Sequence, residues 1–198
     1  MSKIYYMMGK SSTGKDTLYK RIFAKEELQL KTVIPYTTRP IREGEREGVE
    51  YFFCDTAKVL ELEAAGKVIE RRDYNTIHGI WTYFTVDDGQ IDLEKQDYLI
   101  IGTLESYQKI RDYYGKEFLI PIYIEVEDGE RLQRALNREK EQAVPKYEEM
   151  CRRFLADAKD FSEENLAKAE ISRRFVNSDL DKTEAEIVAY IREIAVSV

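Results

Sequence analysis

The segment Gly9-Lys10-Ser11-Ser12-Thr13-Gly14-Lys15-Asp16 follows an apolar run and precedes a helical pattern. Glycines at both ends of such a segment let the backbone turn until the N–H groups of Ser11, Ser12 and Thr13 point at one anion. The helix that follows offers its own N-terminus to the same charge. Lys15 adds a cation suited to the β and γ oxygens of a bound triphosphate, so the types and the GxxxxGK spacing fit an ATP polyphosphate. Asp16 stands where a hydroxyl residue is usual. A carboxylate is also a hard oxygen ligand, and Thr17 is beside it, so both are candidates to meet Mg²⁺ directly or through water. The plainer alternative is a first-turn acid that favours the positive end of the helix.

A second set of chemistry-bearing residues lies in Pro35-Tyr-Thr37-Thr-Arg39-Pro-Ile-Arg42-Glu-Gly44-Glu45-Arg-Glu-Gly48-Val-Glu-Tyr51-Phe-Phe. A phosphate monoester carries about two charges, and guanidinium forks bind it bidentately. Arg39 and Arg42 supply two forks and Tyr51 a hydroxyl donor. The bland alternative is a solvated loop whose arginines pair with Glu43, Glu45 and Glu47, at ~0–1 kcal/mol per exposed pair. Arg134 and Arg138 are four apart and share one helix face, where like charges repel. Glu130 and Glu141 could neutralise them, but a polyphosphate arriving beside that face is the sharper reason for two arginines there.

Together the two segments resemble the guanylate kinases, whose acceptor motif is approximately SxTTRxxRxGExxGxxYxF. All but its first position match here, without a gap. Weaker likenesses run along the rest of the chain. Glu70 follows a helix and Gly-Lys-Val-Ile as the family's base-reading Glu does. Arg134 and Arg138 fit a lid pattern RxxxR, Arg153 fits the next lid arginine, and Val176-Asn177-Ser-Asp179-Leu180 resembles a VNxDL near the ATP base. The resemblance implies the reaction ATP + GMP to ADP + GDP, with Mg²⁺. It implies ATP contacts at Gly9, Ser11, Ser12, Thr13, Gly14, Lys15, Asp16, Thr17, Arg134 and Asn177. For GMP it implies Thr37, Arg39, Arg42, Glu45, Tyr51, Glu70, Tyr83 and Thr103, and it makes Lys15, Arg39, Arg138 and Arg153 the catalytic set. Guanine shows two adjacent donors, N1–H and the exocyclic amine, which the Glu70 carboxylate could accept together, whereas adenine offers no such pair. The bland alternative is a surface Glu beside Arg71 and Arg72.

Three positions depart from the family pattern. Pro35 replaces a serine near the base, Thr103 replaces an acidic residue, and the family's GNxYG becomes Thr76-Ile-His-Gly79-Ile-Trp81-Thr-Tyr83, with either Tyr83 or Trp81 in the place of its phosphate-binding tyrosine. Ribose 1,5-bisphosphate kinases are also similar, through Gly-Lys-Asp in the loop and Thr38-Arg39-Pro40. They supply the alternative acceptor. A non-catalytic guanylate-kinase-like binding module is the alternative from a different class, against which Gly14 and Lys15 stand intact. His78, the single histidine, reads as a loop or packing residue.

The elements that must position these residues alternate between apolar strands and helices, which predicts an α/β, doubly wound parallel sheet. Strands are expected at residues 3–8, 31–37, 51–53, 67–73, 81–86, 98–103, 118–126 and 173–177. Helices are expected at 15–27, 55–65, 104–114, 130–141, 146–165 and 181–195. The arrangement is one domain, with a core of about residues 1–34, 87–130 and 170–198, an acceptor-binding insert of about 35–86 and a helical lid of about 131–169. Among 198 residues the net charge is −7, which argues against nucleic acid as a partner, and no run is long and apolar enough for a membrane. Cys54 and Cys151 show no framework spacing, so a reducing cytoplasm and small nucleotides as partners are expected, for a monomer or homodimer. Lys15→Ala is expected to remove most turnover in a coupled ADP-release assay while leaving the circular dichroism spectrum unchanged, because a loop lysine stabilises charge rather than the core. A variant with near-normal kcat would remove the ATP site.

Overall fold

The computed structural model describes residues 2–76 and 79–196. The strands are β1 (Ile4–Met8), β2 (Tyr36–Thr37), β3 (Phe52–Phe53), β4 (Val68–Thr76), β5 (Gly79–Val86), β6 (Tyr98–Ile101), β7 (Leu119–Glu125) and β8 (Arg174–Val176). The helices are α1 (Lys15–Phe23), α2 (Thr56–Ala64), α3 (Leu104–Tyr114), α4 (Asp128–Lys140), α5 (Tyr147–Asp160), α6 (Glu163–Lys168) and α7 (Leu180–Val196), with one 3₁₀ turn at Glu26–Leu28.

One sheet has the order β6-β1-β7-β8 with every pairing parallel. Its central strand IYYMM is buried throughout, as a parallel strand covered on both faces must be. Alternation then sorts the core into two layers. Ile4, Tyr6 and Met8 face Leu104, Tyr107 and Ile110 of α3 together with Leu166 and Ile171. Tyr5 and Met7 face Leu18 and Ile22 of α1 and Ile187 and Ile191 of α7. Helices thus cover both faces, the doubly wound arrangement expected from the sequence. No helix among the described residues is long and apolar enough to cross a membrane.

The second sheet has the order β3-β2-β5-β4, and its β4–β5 hairpin and β2–β5 pairing are antiparallel. Val59 and Leu62 of α2 pack with Phe84 and Val86 in a separate small core. The four strands of this sheet all lie between Tyr36 and Val86.

Three elements differ from expectation. The strand expected at 31–37 is split between the sheets. Lys31 bridges Tyr98 at the edge of the parallel sheet, and only Tyr36–Thr37 is a strand, in the other one. Pro35 has no N–H to continue a ladder, while Gln90 takes both backbone groups of Ile34, accepting its N–H at 2.8 Å and donating to its carbonyl at 3.1 Å. The first helix ends at Phe23 rather than near residue 27, and the 3₁₀ turn closed by a left-handed Gln29 (φ 49°) reverses the chain toward that edge. The long lid helix breaks at Phe161, whose ring stacks on Tyr123 with centroids 5.6 Å apart, and Ser162 caps the new helix by accepting the Asn165 N–H.

Gly102 joins β6 to α3 where the buried Tyr6 hydroxyl bonds Ser106 Oγ, and any Cβ there would run into that hydroxyl. Gly102→Ala is expected to lower unfolding stability by about 1–3 kcal/mol, as overpacking does, and to lose most of that cost in a Tyr6→Phe background. Urea unfolding of the four proteins measures the coupling, and additive losses would show that the hydroxyl is not the obstacle.

Candidate active site

The phosphate loop is held by its carbonyls. The Asn177 Nδ2 donates to Thr13 O at 2.7 Å, and Arg131 donates to Ser11 O at 3.1 Å. Thr13 Oγ1 donates to Lys10 O at 2.9 Å. Gly14 adopts the left-handed region (φ 81°) at the helix N-cap, and a Cβ there would lie 2.6 Å from the Asn177 amide. Gly9 passes so close to β7 that a Cβ would lie 2.5 Å from Ile124 O. Ser12 is left-handed without being glycine (φ 65°), a conformation that costs about 1–2 kcal/mol. Its hydroxyl is buried with no hydrogen-bond partner among the described residues. The Ser11 N–H donates to Asp157 Oδ2 of α5 at 2.7 Å, so a carboxylate oxygen occupies a loop amide of the kind that binds phosphate oxygens.

Of the expected lid arginines, Arg138 and Arg153 line a small cavity with Ser11 and Ser12 beneath α4 and α5. Both are exposed. Arg153 pairs with Glu149 at 2.7 Å, and the two arginines Arg152 and Arg153 together hold that carboxyl down at about 2. Arg134 pairs with Glu130 at 2.5 Å and donates to Asn177 O at 3.1 Å, and Asn177 itself is buried. Lys15 is 3.2 Å from the exposed Asp16 carboxylate, and Thr17 is exposed on the same first turn. Among the described residues no group of three or more His, Cys, Asp or Glu gathers to hold a metal. The oxygen donors of Asp16 and Thr17 do fit a Mg²⁺ that arrives with nucleotide phosphates, because that ion keeps few protein ligands.

Just past β2 of the second sheet, Arg39 is only 3% exposed. Its Nε donates to Tyr83 Oη at 3.1 Å, its two terminal nitrogens grip Glu45 at 2.8 and 2.9 Å, and its guanidinium lies 5.4 Å from the Tyr51 ring centre. The Arg39 fork holds the Glu45 carboxyl below the usual carboxylate range, helped by the Arg42 N–H. Thr37 is buried, donating to Thr82 O and accepting the Arg39 N–H, so it braces Arg39 from behind. The Arg42 side chain is exposed and makes no ion pair among the described residues. Tyr83 shares this cluster, with its ring edge-on to both Tyr51 and Tyr74 at 5.6 Å.

A cleft of about 350 Å³ lies between the loop and Tyr74 of β4, lined by Gly9, Ser11, Lys15, Tyr74, Thr103 and Asp157 among others. Thr103 caps α3 by accepting the Ser106 N–H at 3.2 Å. Glu70 is the residue whose surroundings differ most from expectation. It stands at the expected register after α2, yet its side chain is only 1% exposed, and its oxygens accept from Arg72 Nε at 2.9 Å, Arg72 NH2 at 3.2 Å and Thr85 Oγ1 at 2.8 Å. A carboxylate has about four acceptor sites, so it has no room for two further base donors. His78 lies outside the described residues.

Four neighbours of the site were not singled out from sequence: Arg72, Tyr74, Arg131 and Asp157. Arg72 and Tyr74 follow Glu70 at strand spacing, so period-two alternation on β4 would have found them. Arg131 precedes Arg134 by one helical step on α4 and is 1% exposed, held by Asp128, Asp157 and the Phe154 ring 4.3 Å away. Nothing local marked Asp157.

The fold and the loop together define a P-loop α/β protein. A family model described as guanylate kinase matches residues 1–194, and the chain belongs to that family. A guanylate kinase of Streptococcus mutans is 35% identical over 109 residues, covering 52% of this chain and 50% of its own length. One of Nitrosomonas europaea is 27% identical over 128 residues, covering 61% of this chain and 60% of its own. The matched part thus spans 50–60% of the length of these curated relatives. The crystal structure of guanylate kinase from Anaplasma phagocytophilum shares the fold, with a TM-score of 0.65 at 19% identity over 97% of this chain and 85% of that one.

Arg131→Met is expected to cost about 2–4 kcal/mol in urea unfolding, because it strands Asp157 and the Ser11 carbonyl. Arg138→Met, at an exposed position, should stay within about 0.5 kcal/mol. Equal stabilities would show that Arg131 does not tie α4 and α5 to the loop.

Proposed function

We propose that the chain transfers the γ-phosphoryl group of ATP to the phosphate of GMP, releasing ADP and GDP. The observation that carries this is the shared cleft: Lys15 and the loop at Gly9 and Ser11 line it together with Tyr74 and Thr103, and Tyr83, Arg39 and Tyr51 continue directly from Tyr74. Guanylate kinase relatives supply the choice of GMP.

In this mechanism the loop amides and Lys15 hold the β and γ phosphates. Binding of a γ-phosphate oxygen at the Ser11 amide displaces Asp157, and the unpartnered Ser12 hydroxyl donates to the same group. Asn177 acts through the loop backbone. Asp16 and Thr17 would hold Mg²⁺, which neutralises phosphate charge when bound. Arg39, Arg42, Tyr51 and Tyr83 grip the acceptor phosphate, with Thr37 and Glu45 fixing the Arg39 fork. An acceptor oxygen forms the new bond to the γ-phosphorus as the bond to the β–γ bridging oxygen breaks and its electron pair leaves on ADP. Arg138 and Arg153 meet the charge of the transferring group as α4 and α5 close over it, with Arg134 at the ATP side. Residues 131–169 then act as a lid and residues 35–86 as the acceptor-binding part. Free thiols at Cys54 and Cys151 suit a reducing compartment.

The test is a coupled ADP-release assay over GMP, AMP, other nucleoside monophosphates and ribose 1,5-bisphosphate. GMP is expected to lead, and a sugar phosphate used in preference to every nucleotide would sink the GMP reading. Arg42→Ala should lower kcat/KM for GMP roughly 10²-fold, as losing a charge-assisted phosphate contact does, with KM carrying much of the loss. Unchanged acceptor kinetics would return Arg42 to a solvated loop.

A further inference from the structure

Residues 70, 72 and 74 alternate onto one face of β4, and they become progressively more exposed along it. Glu70 at the inner end is buried and accepts three hydrogen bonds, two from Arg72 and one from Thr85. Arg72 is therefore held by its Nε and NH2 side, while NH1 lies outside the pair, 3.5 Å from Thr103 Oγ1. Thr103 and Tyr74 both line the cleft, and the charge of Arg72 reaches the Tyr51 hydroxyl, opposing the burial that pushes it up. Next to this wall, at Thr103, stands a donor on a fixed cation, not an open carboxylate.

We propose that Arg72, held by the buried Glu70, is the specificity-determining residue of the acceptor site and donates through NH1 to the 6-oxo group of the purine. This rests on the GMP reading and deepens it. Guanine offers O6 as an acceptor at the edge where a guanidinium can meet it, as arginine does with guanine elsewhere. A 6-amino purine turns donors toward the cation and leaves both unsatisfied. With three acceptor sites of Glu70 filled and its side chain only 1% exposed, the 2-amine of guanine gains no carboxylate partner. The selection therefore distinguishes 6-oxo from 6-amino purines and is nearly indifferent to the group at position 2.

The experiment compares kcat/KM for GMP, IMP and 2-aminopurine riboside 5′-monophosphate, which keeps the amine and lacks O6. The wild-type protein is expected to use GMP and IMP within about threefold of one another, and the analogue without O6 about 10- to 100-fold less well, the range of one charge-assisted hydrogen bond. Arg72→Met should bring GMP and IMP down toward the analogue while changing the analogue itself by less than about threefold. If Glu70, left buried without its partner, prevents folding, the double variant Glu70→Gln/Arg72→Met carries the same comparison. GMP exceeding IMP by more than about tenfold in the wild type would restore the carboxylate as the reader of the amine and overturn the proposal. An equal loss for all three acceptors would give Arg72 a merely structural role and overturn it too. A wild-type protein that phosphorylates none of the three, yet turns over another phosphate ester, fails at the GMP reading instead.

Discussion

A phosphate loop must leave its N–H groups free for a ligand while its path is fixed, and the rest of this molecule is arranged around that requirement. The loop is therefore gripped from behind by its carbonyls. Asn177 arrives from the far edge of the parallel sheet, where its own N–H is bonded to Glu125 O at 2.8 Å. Arg131 arrives from α4, and the buried strand β7 leaves room for Gly9 and no side chain. With the backbone held in this way, Ser12 can keep a left-handed conformation and a buried hydroxyl that is unpartnered among the described residues. Both are costs that a packed scaffold sustains at a ligand site.

The same residues couple the loop to the helices above it. Arg131 contacts the Ser11 carbonyl and Asp157, and Asp157 accepts the Ser11 N–H. One buried guanidinium thus joins α4, α5 and the loop. Its removal would leave a carboxylate beside apolar Phe154, an unfavourable arrangement in a low-dielectric setting.

Across the cleft the acceptor side is built on the opposite plan. Arg39 is buried, and four of its five N–H groups are used, by Tyr83, Glu45 and the Pro40 carbonyl. Arg42 stays exposed. A buried, bonded arginine gives orientation and an exposed one gives charge, and two such groups suit an anionic ligand that must enter and leave. Glu70 and Arg72 follow the buried plan, since a buried carboxylate fixes the cation that remains accessible.

The phosphate loop, the order of the main strands and helices and the arginine-rich segment at residues 35–53 were legible in the sequence. Those features are local: glycine at turns, period-two and period-3.6 burial, and residue types at fixed spacing each have a physical consequence within a few residues. The expected boundaries failed where a distant contact decides them, at Ile34 with Gln90 and at Phe161 on Tyr123. Only the tertiary structure decided which polar groups are already paired. Glu70 was legible as a carboxylate in the right register, but its partners Arg72 and Thr85 come from the alternation of β4 and from the neighbouring strand β5. Asp157 carried no local signal, and it meets Ser11 only because α5 folds over the loop from 146 residues away. A side chain's type fixes what it can bond, whereas its burial and the competitors within about 3 Å fix what remains free to bond a ligand. That second quantity depends on residues far apart in the chain.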